Sequence, residues 1–112
     1  MPDQTVRVTF NETANPQFTF TPPSVEMTSA GKVIFNRQGS ASWTFVGARV
    51  KADTLNQFTP SVNPGGQVMQ IQDAFRDSTR KAYQYTITVS QNGRQFTSPD
   101  PEIVNDPLQS GT

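Results

Sequence analysis

The chain has 112 residues, no cysteine, no histidine and equal numbers of acidic and basic side chains, so its net charge is zero. Those absences remove disulfides, thiolate nucleophiles, imidazole bases, zinc sites and blue-copper sites. What remains as ligand chemistry is carboxylate, hydroxyl and backbone oxygen, which suits hard cations such as calcium. Charged residues make up only 16% and hydrophobic ones 33%. That balance fits thin sheets with one wet face each better than a disordered chain, which joins low hydrophobicity to high net charge.

Period-2 alternation dominates the pattern in chain order. Val6, Val8 and Phe10 alternate with Arg7 and Thr9, and Phe18 and Phe20 with Gln17 and Thr19. Pro22-Pro23 breaks the second strand, because proline donates nothing to a ladder. Val25 and Met27 follow, then a turn at Ala30-Gly31, then Val33 and Phe35, then a polar turn over 36–40 containing Gly39. Trp43 and Phe45 start the next strand, with a bulge expected at Gly47 and continuation through Val50. Residues 53–66 carry no pattern and end in Asn63-Pro64-Gly65-Gly66, strong turn chemistry. A short strand is expected over 68–71, and a loop or helical turn over 73–81.

The strongest local signal lies after residue 82. Tyr83, Tyr85, Ile87 and Val89 share one strand face, and Asn92-Gly93 supplies a type I′ hairpin turn. Pairing Gln91 with Arg94 sets Val89 opposite Phe96 and Thr88 opposite Thr97. Pro99, Pro101 and Pro107 follow, so the division expected is a sandwich over 1–98 and a proline-rich acidic tail over 99–112, docked through Ile103 and Val104 and frayed after Pro107. Seven to eight short strands with turns between them predict an all-β antiparallel sandwich.

The order of residues from Phe20-Thr21-Pro22-Pro23 through Val25, Met27, Gly31, Val33 and Phe35 to Asn36 resembles the early part of a cupredoxin. Tyr83-Gln84-Tyr85 resembles its late strand, and the likeness spans roughly residues 17–97. It implies the fold alone. Where copper cupredoxins place a histidine, this chain has Gly39-Ser40-Ala41-Ser42-Trp43. Where they place a cysteine and a second histidine, it runs on through Thr86-Ile87-Thr88-Val89. No cofactor is expected, and an immunoglobulin-like sandwich fits the pattern equally well.

The candidate ligand contacts are Trp43, Tyr83, Tyr85, Asp73 and Asp77. The three aromatics can form a stacking platform for a sugar, or fill the core, as their period-2 partners suggest. Asp73 with Asp77, or Asp100 with Glu102 and Asp106, can offer oxygens to calcium, although neither spacing matches a helix-loop-helix calcium loop. Arg76, Arg80 and Lys81 lie beside Asp73 and Asp77, which neutralises them locally. A glycosidase needs two carboxylates around a deep cleft, and no nucleophile–base pair of the usual kind is present, so no enzyme is expected. The expected function is a binding or structural module acting through protein contact or self-assembly. The alternative is carbohydrate or calcium binding by loops 36–42, 53–66 and 72–81 at one end of the sandwich. Neither nucleic acid nor membrane is an expected partner, because there is no basic face and no apolar run of ~20 residues. The N-terminus lacks a signal-peptide pattern, which points weakly to the cytoplasm.

Overall fold

The computed structural model describes residues 3–14, 16–38, 43–99 and 101–107. The expected turn at Gly39, most of loop 36–42, Asp100 and the segment after Pro107 lie wholly or partly outside them. Among the described residues ten strands run Gln4–Phe10 (β1), Phe18–Thr21 (β2), Ser24–Met27 (β3), Gly31–Arg37 (β4), Thr44–Val50 (β5), Phe58–Val62 (β6), Val68–Asp73 (β7), Lys81–Gln91 (β8), Arg94–Thr97 (β9) and Glu102–Asn105 (β10). They form two five-stranded sheets, one ordered β2-β1-β4-β7-β6 and the other β3-β10-β8-β5 with β9 also on β8. The two inner faces enclose the core: Val6, Val8, Val33, Phe35, Met69 and Ile71 come from one sheet, and Tyr83, Tyr85, Ile87, Val89 and Ile103 from the other.

The all-β sandwich is as the alternation predicts, but the sheets are mixed rather than antiparallel. β1 runs parallel to β4, and β3 parallel to β10. The reason lies at Pro22-Pro23. The chain leaves the first sheet after β2, joins the second as β3, and returns as β4 on the far side of β1. A strand that comes back by such a crossover runs the same way as its neighbour, whereas a hairpin would reverse it.

Two strands exceed the expected seven or eight. β6 sits in the unpatterned stretch: it is an edge strand with only Phe58 fully inward, and Pro60 stands where a missing N–H costs nothing. The other is β10, where the stretch read as a tail docks through Ile103 and Val104 as a strand of its own, beyond residue 98. It fills an interior position between β3 and β8. β9 and β10 lie end to end along β8. Thr97 pairs with Thr88, and Glu102 with Gln84. The backbone between them stays bonded, with Ser98 N–H donating to Ile87 O at 2.8 Å and Tyr85 N–H to Pro101 O at 3.0 Å. Prolines at the joints hid a strand whose own residues, Ile103 and Val104, are buried.

The hairpin register is the expected one, with Gln91 opposite Arg94 and Val89 opposite Phe96. Asn92 and Gly93 hold φ of 54° and 77°. The bulge in β5 falls at Val46, one residue before Gly47: Phe45 pairs with Val89 and Gly47 already with Thr88. Gly66 is the glycine under tightest constraint. Its φ is +69°, and a Cβ there would lie 2.7 Å from Thr44 Cβ. Gly66→Ala is therefore expected to cost about 2 kcal/mol, from left-handed strain plus overpacking. A urea midpoint unchanged from the parent would contradict this.

Candidate functional site

The inward register of β7 reads Met69, Ile71, Asp73, and that of β10 reads Ile103, Asn105. Each strand thus ends by pointing a polar side chain between the sheets. Asp73 and Asn105 are both fully buried. Around them gather Gln57 from the β5–β6 loop, Asp77 from the β7–β8 loop and Tyr83 from β8. Burying such groups is costly unless their hydrogen bonds are made, and here most are.

Gln57 organises the cluster. Its Nε2 donates to Asp77 Oδ2 at 3.0 Å and to the Tyr83 hydroxyl at 2.9 Å. Its Oε1 accepts from Arg76 N–H at 2.7 Å and from Asn105 Nδ2 at 3.2 Å. The side-chain amide, 2% exposed, therefore uses both donors and both acceptor positions. The Tyr83 hydroxyl donates to Asp77 Oδ1 and Oδ2 at 2.8 and 2.9 Å. Asn105 Nδ2 also faces Asp77 Oδ2 at 3.0 Å and Asp73 Oδ1 at 3.3 Å.

The two loops above the cluster are pinned in unusual backbone conformations. Ala52, Asn56 and Phe75 hold φ of 56°, 55° and 58°. A left-handed phenylalanine is rare, and such strain persists only where neighbours enforce it. Asp73 Oδ1 accepts the Phe75 N–H at 2.8 Å, and Gln57 O accepts the Ala74 N–H at 2.8 Å. Asp53 accepts the Gln57 and Phe58 N–H groups, both at 3.1 Å. Arg76 Nη1 reaches across to Leu55 O at 3.2 Å, tying the outer surfaces of the loops together.

Burial is the largest influence on Asp73 and raises its carboxyl from 3.8 to about 6. Hydrogen bonds from Phe75 and Asn105 pull it down, and the charges of Asp77 and Asp53 push it further up. Burial likewise raises the Tyr83 hydroxyl, helped by Asp77, and that of Tyr85.

Of the five residues singled out from sequence, the structure brings Asp73, Asp77 and Tyr83 together and leaves Trp43 and Tyr85 apart. Trp43 and Tyr85 are 0% exposed and Tyr83 is 2% exposed. Their ring faces are taken by other rings: Trp43 meets Phe45 at 5.0 Å, Tyr85 meets Phe35 at 5.5 Å and Tyr83 meets Phe58 at 4.9 Å. The aromatic platform is therefore corrected to core packing. Asp77 accepts from Tyr83, Gln57 and Asn105, which occupies the lone pairs calcium would need. Among the described residues no group of three acidic side chains is placed to hold a metal. Of the tail carboxylates, Asp106 is paired to Arg80 at 3.3 Å and Glu102 accepts from the Ser24 hydroxyl at 3.3 Å. Sequence reasoning missed Gln57 and Asn105. Extending the alternation of Met69 and Ile71 to Asp73, and of Ile103 to Asn105, would have found the two strand-end residues. Gln57 sits in an irregular loop with no periodic signal.

Comparison with known proteins places the whole described sandwich within one family. The model of the DP-EP family matches residues 2–107. The chain belongs to the DP-EP family. That match spans both sheets and every member of the polar cluster, so the cluster lies inside the DP-EP domain. Among solved structures, the NMR structure of a protein from Bacteroides thetaiotaomicron is 14% identical, with the match covering 74% of this chain and 73% of that one at a TM-score of 0.39. No curated protein matches.

Proposed function

We propose that this DP-EP domain is a non-catalytic binding module that recognises a protein, either another chain or a second copy of itself, through the loop end formed by residues 51–57 and 74–80. The observation that carries this reading is the pinning of both loops, in left-handed conformations at Ala52, Asn56 and Phe75, by hydrogen bonds to Asp53, Gln57 and Asp73. A loop held this way loses little freedom on binding, and recognition surfaces commonly sit on loops that a rigid scaffold positions. Leu55, 40% exposed, is the large apolar side chain these loops present to solvent. Buried aromatics argue against a stacked sugar, and engaged carboxylates against calcium. Without histidine or cysteine there is no usual base for the many hydroxyls. Zero net charge supports neither nucleic acid nor an anionic surface as partner. As the finer fold label we propose cupredoxin-like, since the Phe20–Asn36 stretch falls on β2, β3 and β4 and carries the change of sheet at Pro22-Pro23.

Sedimentation velocity from micromolar to millimolar concentration, on the parent and on Leu55→Asp, tests the self-association form. A mass that rises with concentration in the parent and stays monomeric in the variant supports it. A constant monomer mass turns the search to another chain, by photo-crosslinking from position 55. Absence of crosslinks there, together with a monomer mass, would overturn the reading. Leu55→Asp is expected to change stability by no more than about 0.5 kcal/mol, as for surface positions generally.

A further inference from the structure

Two buried oxygens in the cluster, Asp73 Oδ2 and Asn105 Oδ1, have no hydrogen-bond partner among the described residues. They belong to side chains that already touch, because Asn105 Nδ2 faces the other carboxyl oxygen, Asp73 Oδ1, at 3.3 Å. The amide cannot be turned over. Its Nδ2 also faces Gln57 Oε1 and Asp77 Oδ2, and an oxygen in that position would meet three acceptors. Neither orphaned oxygen has a donor, and a hydrogen on Asp73 Oδ2 would supply one to Asn105 Oδ1. A carboxylic acid and a primary amide complement one another head to head: the amide N–H meets the carbonyl oxygen, and the acid O–H meets the amide oxygen.

We propose that Asp73 is a proton-binding site: in the folded protein at mildly acidic pH its Oδ2 carries a proton donated to Asn105 Oδ1, and release of that proton to solvent unlatches β10 from β7. The pair joins the two sheets, since Asp73 ends β7 in one and Asn105 ends β10 in the other. When the proton leaves, a carboxylate oxygen is set against an amide oxygen, and a second negative charge stands beside Asp77. The charged groups around Asp73 do not offset it. Asp77 and Asp53 oppose its ionisation. Arg76 is held on the Leu55 carbonyl, Arg80 on Glu26 and Asp106, and Lys81 over the Tyr83 ring. In the sheet, Asp73 lies between Gly31 and Phe58, neither of which titrates. The latch rests on this network alone and not on the partner proposed above.

The test is a titration of the full chain by NMR from pH 4 to pH 8, following the Asp73 carboxyl carbon and the Asn105 side-chain amide. Both are expected to step together with a midpoint near 6, and the hydrogen-exchange protection of Ile103 and Val104 is expected to fall above that step. In Asp73→Asn the Asn105 step is expected to vanish. An Asp73 midpoint near 4, the ordinary value for aspartate, would overturn the proposal. So would an Asn105 amide that stays silent while Asp73 titrates. The parent titration decides the matter even if the variant does not fold.

Discussion

Asp73→Asn is expected to stabilise the domain at pH 7 by about 3 kcal/mol. The carboxyl is raised from 3.8 to about 6 in the fold, and each unit is worth roughly 1.4 kcal/mol. A raised folded value means that the native state binds the proton more tightly than the unfolded chain does. Its stabilising contribution is then complete below pH ~4 and is lost as pH climbs through ~6. At neutral pH the parent carries a desolvated charge. Asparagine removes that charge, keeps an oxygen for the Phe75 N–H and supplies an N–H for Asn105 Oδ1. For a domain of this size the gain corresponds to roughly ten degrees or more in Tm. Thermal unfolding of parent and variant at pH 7 and pH 4.5 checks it: the gap should be wide at the higher pH and narrow at the lower. A variant less stable than the parent at both pH values would show that the native state needs the carboxylate itself.

Gln57→Leu is expected to cost about 3–5 kcal/mol, although it adds apolar surface to a buried position. The loss is not of one bond. Leucine offers no acceptor to Arg76 N–H and Asn105 Nδ2, and no donor to Asp77 or Tyr83. A buried polar group left short of a partner costs about 1–3 kcal/mol, and groups sharing one network do not add independently. Loop 74–80 loses its side-chain anchor at Arg76 N–H as well, while Asp73 keeps hold of Phe75 N–H. Urea unfolding gives the size of the loss, and limited proteolysis between residues 74 and 80 shows where the structure opens. A change under 1 kcal/mol would mean that water replaces the amide at no cost.

The residues explain why the fold was more legible than the site. Val6, Val8 and Phe10, or Tyr83 through Val89, repeat every second position because one sheet face is wet and the other dry, so composition and period agree. β6 broke that agreement because an edge strand keeps few inward residues. β10 broke it because prolines bracket it. The site was half visible: Asp73, Asp77 and Tyr83 were singled out, but for reasons the structure redistributes. What joins them is Gln57 and Asn105, brought in from loop 51–57 and from the last strand, and contact between residues so far apart in the chain leaves no mark in local spacing. Trp43 and Tyr85 drew notice for chemistry they do not display, although their period-2 partners already pointed to the buried face.

The position of β10 also bears on how the molecule is made. Its parallel neighbour β3 was laid down far earlier: Ser24 and Glu102, joined at 3.3 Å, are 78 residues apart. Pairings so distant in sequence are slow to form, because a long loop must close before any contact rewards it. Until the ribosome has delivered Asn105, β3 lacks its partner strand and the buried Asp73 lacks its amide from the opposite sheet. The second sheet is therefore completed only after β10 has emerged, and a nascent chain stalled near residue 98 would hold it half-built and open to aggregation or to proteases.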